Sequence, residues 1–344
     1  AFAGIRGPLA LPEPGREGGV LDLGGRFGLH PSLAKTHALY RAGQALIVHA
    51  VAGPYRVRSH FDAQDMLESG ALQRLDSGWL NRALAGLPGS GGQPAGLAVG
   101  LDVPLLMKGP TPVRNYAPHG TLAVDEELMT RVQRLLSRDP TFGPVIARAQ
   151  EERGFTAAVL RKEGEDGEMM GGAPVGRNSF GTLSGVAGRL MAAPNGPRVA
   201  ALEQGGWDTH TSQVHRLTYA LGQLDAGIAA LREGLGDAWR HTAVLIVTEF
   251  GRTARANGTG GTDHGTAGAA FLVGGAVAGG KVRTDWPGLG QGKLFEDRDL
   301  APTTDLRAVA KGLLRDHLKL PPAAVERAFP ESGAVAPMAG LVRA

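Results

Sequence analysis

Two short segments of this 344-residue chain pair a carboxylate with an imidazole. In Gly205-Gly206-Trp207-Asp208-Thr209-His210, the aspartate and the histidine stand two residues apart. At the end of a strand, such residues point to the same side, so both can reach one divalent cation. In Gly260-Gly261-Thr262-Asp263-His264-Gly265, Asp263 and His264 are adjacent and flanked by glycines, which permit close approach of backbone to a ligand. Together the pairs offer two carboxylates and two imidazoles, enough for one metal site or for parts of two. Each has a plainer reading as well: Asp208 as a helix cap, and Asp263-His264 as the tip of a Gly-rich hairpin.

Two further segments carry polar residues of the right kind. In Thr248-Glu249-Phe250-Gly251-Arg252-Thr253, Glu249 can act as a ligand or a general base. Arg252 can hold an oxyanion through two parallel N–H bonds. The alternative is that the two form a structural ion pair. In Arg56-Val57-Arg58-Ser59-His60-Phe61-Asp62, Ser59 falls at a predicted helix N-terminus, where the potential is positive. Beside a metal its hydroxyl can serve as a nucleophile, with Arg58 and His60 assisting through charge. Otherwise Ser59 is an N-cap and nothing more. His49, inside an apolar run, reads as a core histidine. No nucleophile elbow or Walker loop is present, and the glycine runs lack the strand and acidic context of a dinucleotide fingerprint.

The elements that must position these residues follow from periodicity. Apolar runs at Ala45–Ala52, Gly96–Leu101, Pro197–Gly206, His241–Gly251 and Ala269–Gly275 predict strands. Helices are predicted over Pro31–Ala42, from an N-cap at Ser59 to a stop at Gly70, and over Asp125–Ser137, Phe142–Glu152, Phe180–Ala192, Leu217–Gly234 and Leu306–Leu318. A polar, Gly-rich excursion spans Glu163–Asn178. This alternation predicts an α/β fold with a mostly parallel central sheet and helices on both faces. In such sheets ligands bind at the carboxyl ends of the strands, which is where both Asp/His pairs fall.

Composition narrows the function classes. With no cysteine, thiolate zinc sites, iron–sulfur clusters and cysteine nucleophiles are excluded. The net charge of +3 is spread along the chain without a basic block, which argues against a nucleic-acid partner. No apolar run is long enough to predict a membrane span. The 53 glycines and 22 prolines show no period, so they predict long loops around a folded core, not a fibrous repeat.

The segments RFGLHPSL, RSHFDAQDMLESG, GWLNRAL, GGWDTHTSQ, VTEFGRTARANGTGGTDHG and DLAPTTDLRAV occur in that order. In this they resemble the bacterial family called domain of unknown function 1501, placed in the alkaline phosphatase/sulfatase superfamily. The resemblance implies one domain over residues 1–344, folded as a three-layer α/β/α sandwich. A Gly/Pro-rich N-terminal segment would occupy 1–30 and a loop-rich insertion would lie around 102–178. Relatives of that kind bind two divalent metals and use a Ser, Thr or modified Cys as nucleophile. By that resemblance Asp263 and His264 hold one metal, Asp208 and His210 the other, and Ser59 is the nucleophile. The reading that follows is a hydrolase of small phosphate or sulfate esters. Asp208, His210, Asp263, His264 and Glu249 bind the divalent metal, whether zinc, calcium, magnesium or manganese. Ser59, Arg58, His60 and Arg252 carry the chemistry. The family also implies twin-arginine export to the periplasm and a first strand ending in an Asp ligand, both ahead of the first residue here. No third histidine follows His264 at a suitable place. The alternative is therefore an exported, non-catalytic binding or scaffold protein with a degenerate metal site.

Overall fold

The computed structural model describes residues 2–87, 94–117, 131–132, 134–136, 139–161 and 179–343. The helix predicted at Asp125–Ser137 lies mostly outside these residues, and the whole of the excursion at Glu163–Asn178 does too. The strands are β1 Leu21–Asp22, β2 Gly28–Leu29, β3 Ala45–Ala52, β4 Gly96–Val99, β5 Val113–Tyr116, β6 Val199–Leu202, β7 Val244–Ile246, β8 Gly268–Val273, β9 Lys281–Arg283 and β10 Thr304–Asp305. The helices are α1 Phe2–Arg6, α2 Ala34–Arg41, α3 His60–Ser69, α4 Trp79–Leu84, α5 Phe142–Arg161, α6 Ser179–Ala192, α7 Gln213–Leu235, α8 Leu306–Asp316 and α9 Pro322–Ala328.

β3 lies at the centre of the larger sheet because nearly every residue of ALIVHAVA is apolar and can be buried on both faces. β8 pairs with it antiparallel on one edge, and β7 lies beyond β8. On the other edge β9 and then β10 pair parallel to β3. A second sheet, in the order β5-β4-β6, is parallel throughout. The larger sheet is thus mixed: four of its five strands run the same way, as a mostly parallel sheet requires, and β8 alone is reversed. The cause is the connection from β7. A parallel return requires a crossover of a dozen or more residues, usually a helix. Here the chain after β7 doubles back on itself, with Arg252 and His264 facing each other as an antiparallel bridge. The strand predicted over His241–Gly251 shortens accordingly, since His241 ends a 3-10 turn and the residues after Ile246 leave the ladder.

Alternation along β3 puts two cores on its two faces. Ala45 and Ile47 pack with Leu97, Leu190, Leu224, Ile228 and Val273, beneath α6 and α7. Leu46 and Val48 pack with Leu272, Val309 and Leu313, beneath α8. Each such aliphatic side chain contributes about 1.5–3 kcal/mol by leaving water. Among the described residues no helix is long and apolar enough to cross a membrane.

His49 sits in β3 with its ring packed against Phe27 and Trp286, at centroid separations of 4.8 and 5.2 Å. Burial pulls its pKa down from 6.5 to about 4. The neutral ring is the folded form, and the folded pKa lies below the unfolded one. Its contribution to stability is therefore complete above the unfolded pKa and is lost as pH falls towards the folded value. Between about pH 7.5 and about pH 4.5 this titration is expected to remove about 2 kcal/mol of stability. His49→Phe takes up no proton and should lose that much less over the same interval in urea unfolding. Equal losses in the two proteins would show that His49 is not the acid-labile group.

Candidate metal and active site

Three loops at one end of the two sheets supply the polar residues. The first leads from β3 into α3, with Ser59 at the N-cap and His60 as the first helical residue. The second runs from β6 to α7 and carries Asp208 and His210. The third is the doubled-back segment between β7 and β8, which carries Glu249, Arg252, Asp263 and His264. Its two arms are zipped by backbone bonds from Gly251 to Thr266, from Thr253 to Asp263 and from Gly265 to Gly251, at 2.8–2.9 Å. Loops two and three are joined by Gln213 N–H on the Gly260 carbonyl at 2.9 Å and Thr262 N–H on the Thr209 carbonyl at 3.2 Å. Thr209, Gln213 and Thr262 are buried, and both hydroxyls bond to the Gln213 side chain. The satisfied buried polar contacts fix the two loops in one arrangement.

The imidazoles of His60, His210 and His264 converge on Asp208. Asp208 Oδ1 lies 3.0 Å from His210 Nε2, 3.2 Å from His264 Nε2 and 3.5 Å from His60 Nε2. His210 Nε2 and His264 Nε2 are 2.9 Å apart. One ligand atom each of His60, Asp208 and His264 lies within 4.8 Å of the other two; His210 stands outside that group, against Asp208 and His264. The opposite nitrogen of each ring faces an oxygen. His60 Nδ1 is 2.6 Å from Glu249 Oε1, His210 Nδ1 is 3.1 Å from Asp263 Oδ1, and His264 Nδ1 is 2.8 Å from the Arg58 carbonyl.

A carbonyl and a carboxylate only accept, so each Nδ1 must donate. A neutral ring so oriented presents its Nε2 lone pair towards Asp208. A cation, or a proton of the kind through which His264 bonds Asp208, must therefore lie among these nitrogens and the carboxylate oxygen. His60 Nε2 is buried there without a hydrogen-bond partner. Phe250 backs the group, its ring 4.9 Å from that of His60 and 4.8 Å from that of His264.

Arg252 stands at the side of the cluster and donates from Nη1 to Asp208 Oδ1 at 2.8 Å and from Nε to Thr262 Oγ1 at 3.2 Å. Burial pushes the Asp208 carboxyl up. The hydrogen bonds from Arg252 and His264 and the nearby His210 more than offset this and hold its pKa at about 2. Hydrogen bonds from Asn257 and His210 lower that of Asp263. The side chains of His60, Asp208 and His210 are 37%, 46% and 39% exposed, so the cluster opens to solvent.

The loops thus bring together His60, Asp208, His210, Glu249, Arg252, Asp263 and His264. Two of the predicted residues stand differently. The Arg58 guanidinium is taken up by Glu296 at 2.6 Å and Asp299 at 3.0 Å, and its carbonyl is what reaches the cluster. Ser59 occupies the N-cap of α3, half-buried, but its hydroxyl makes no capping bond. Sequence reasoning missed Asn257, Gln213 and Asp299 as residues that hold the loops, although all three stand within the segments that carry the resemblance. It also treated His60 as an assisting charge, although the helix start placing it next to Ser59 was visible.

A family model described as "Protein of unknown function (DUF1501)" matches residues 43–329. No curated protein and no solved structure matches the chain.

Proposed function

The chain belongs to the DUF1501 family, and on that premise we propose that it is a metal-dependent hydrolase of small phosphate or sulfate esters with one divalent-cation centre. The observation that carries the reading is the convergence of three Nε2 atoms on Asp208 Oδ1, each ring anchored at Nδ1 by an acceptor. Metal-binding histidines are oriented in this way by carboxylates and carbonyls behind them. The spacing also fits. Around a cation with bonds of about 2.0–2.1 Å, tetrahedral donors stand roughly 3.3 Å apart. Four of the six separations among these atoms run from 2.9 to 3.5 Å, and His60, Asp208 and His264 form the group within 4.8 Å of one another, with His210 reached through Asp208 and His264.

On this reading the ligands are His60, Asp208, His210 and His264. Glu249 and Asp263, expected as ligands, stand behind the rings of His60 and His210. One centre replaces the two that the resemblance implied. Imidazoles favour zinc and its neighbours over calcium or magnesium. A bound cation would supply Lewis-acid polarisation of an ester oxygen and a water of lowered pKa. The chain's own part is to hold that centre open to solvent and to set Arg252 beside it, where a guanidinium attracts an anionic ester. The helices on both faces of β3 support an α/β/α sandwich of the alkaline phosphatase kind. A periplasmic or exported location rests on the family resemblance.

Elemental analysis of protein purified without chelator tests the centre, and aryl phosphate and sulfate esters test turnover. About one divalent ion per chain with metal-dependent hydrolysis supports the proposal. Metal without hydrolysis favours a second reading, a metal-binding protein without catalysis, for which the capture of Arg58 by Glu296 and Asp299 speaks.

A nucleophilic serine is commonly activated by a neighbouring base. His60 commits Nδ1 to Glu249 and turns Nε2 to Asp208, so neither nitrogen serves Ser59. Ser59→Ala is therefore expected to keep its metal and to keep turnover within about threefold, against the losses of about a million-fold seen when a nucleophile is removed. Turnover lost with metal retained would restore Ser59 as the attacking group.

A further inference from the structure

We propose that Asp299 is the positioning residue of this centre, acting through Arg58 and Arg298 to fix the ring and backbone of His264. The inference rests on the metal-centre reading for its purpose, but its geometry stands apart from it. The Asp299 side chain is fully buried. Its Oδ2 accepts from Arg58 Nε at 3.0 Å and from Thr266 Oγ1 at 2.9 Å. Its Oδ1 is buried without a hydrogen bond, and Arg298 Nε lies 3.8 Å from it.

The two arginines then meet again at one residue. The Arg58 carbonyl receives the His264 Nδ1 proton at 2.8 Å, and Arg298 donates from Nη2 to the His264 carbonyl. One carboxylate thus stands between the two residues that grip His264, bonded to the Arg58 side chain and 3.8 Å from that of Arg298. The first dictates which nitrogen carries the proton, and the second fixes where the backbone stands.

Local structure shows why Asp299 is held so firmly. Glu296 and Asp297 both adopt left-handed backbone, with φ of 52° and 51°. Non-glycine residues are strained there, and the strain persists only where the surroundings enforce it. Here the enforcement is a tight antiparallel bridge between Phe295 and Asp299, a second between Thr253 and Asp299, and the Ala254 N–H on the Arg298 carbonyl at 3.0 Å. Residues 298–299 are thereby sewn to the arm that precedes Asp263 and His264. A buried carboxylate is an expensive way to achieve stability alone, since apolar residues of similar volume often do as well. What it supplies that an apolar residue cannot is a fixed orientation for two cations.

The test uses the full chain with Asp299→Leu, and Asp299→Asn as an isosteric second variant should the first fail to fold. Zinc affinity is read by competition with a chromophoric chelator. The protonation pattern of His264 is read in the metal-free protein by nitrogen-15 NMR of its ring. The expected result is a 10–100-fold weaker zinc affinity with an unchanged far-UV spectrum. The ring of His264 should also pass from a proton held on Nδ1 to a mixture of tautomers. Zinc affinity within twofold of the wild type and an unaltered tautomer would overturn the role of Asp299. No zinc bound by the wild type, together with the tautomer change in the variant, would keep the positioning role and reject the metal centre instead.

Discussion

Asp208→Ala is expected to abolish zinc binding while the chain stays folded. Asp208 Oδ1 is the atom on which three Nε2 atoms and Arg252 Nη1 converge, so no other group can take its place. Structural zinc sites are worth about 10–16 kcal/mol for four ligands, or roughly 3 kcal/mol each, so removing one should weaken affinity by over a hundredfold. The charge makes the true loss larger, because Asp208 is the anion among neutral imidazoles. The fold should survive, since the side chain is nearly half exposed and none of the hydrophobic clusters includes it. Asp62→Ala, which removes an exposed carboxylate from the first turn of α3, the helix that His60 opens, serves as the control and should bind zinc as the wild type does. Zinc retained at full stoichiometry in Asp208→Ala would place any metal elsewhere and end the assignment. Equal loss in both variants would point to a general effect of negative charge at this end of the molecule.

Much of the framework was legible from periodicity. β3 begins and ends where its apolar run does, and α3 runs from Ser59 to Gly70 as the cap and the glycine require. Long buried runs and well-marked helix ends are local signals, so the sequence displays them. The reversal of β8 was not local. It depends on residues 247–267 folding as two zipped arms in place of a helix, and nothing in RTARANGTGG marks that beyond its glycines. The short pieces β9, β10 and α9 were missed for a related reason. Each is too brief for a period to show, and each is stabilised by its neighbours: β9 and β10 by the edge of β3, α9 by α4. α9 is hidden further because it opens on a proline, Pro322, a residue that can as well mark the end of the helix before it.

The site divides in the same way. The carboxylates and imidazoles were visible as types, and their gathering followed from strand ends. Which nitrogen of each ring faces inward was not visible, because it is set by Glu249, Asp263 and a backbone carbonyl from distant segments. That detail moves His60 into the proposed ligand set and moves Glu249 and Asp263 behind it.

The glycines around Asp263-His264 were read as allowing close approach to a ligand, but at Gly261 the close partner is the protein's own backbone. A methyl group there would lie 2.2 Å from the His210 carbonyl oxygen and 2.3 Å from that of Thr209. Both are main-chain atoms held in place, since Asn257 Nδ2 and Thr259 Oγ1 bond the His210 carbonyl at 2.9 and 2.7 Å. Gly261→Ala must therefore push loops two and three apart. Overpacking of this kind costs about 3 kcal/mol where the neighbour cannot yield. His210 would move with its carbonyl, and a ligand displaced by a fraction of an ångström should bind zinc at least about tenfold more weakly. Gly260→Ala separates this from simple backbone strain. Gly260 has φ of +72°, with open space where a methyl would go. Its replacement should cost only about 1 kcal/mol, through left-handed backbone, and leave zinc affinity unchanged. Urea unfolding of the metal-free proteins and zinc titration of both variants give the comparison. If Gly261→Ala matches Gly260→Ala in both, the two loops are not clamped at His210, and the position of that imidazole must be set by the metal alone.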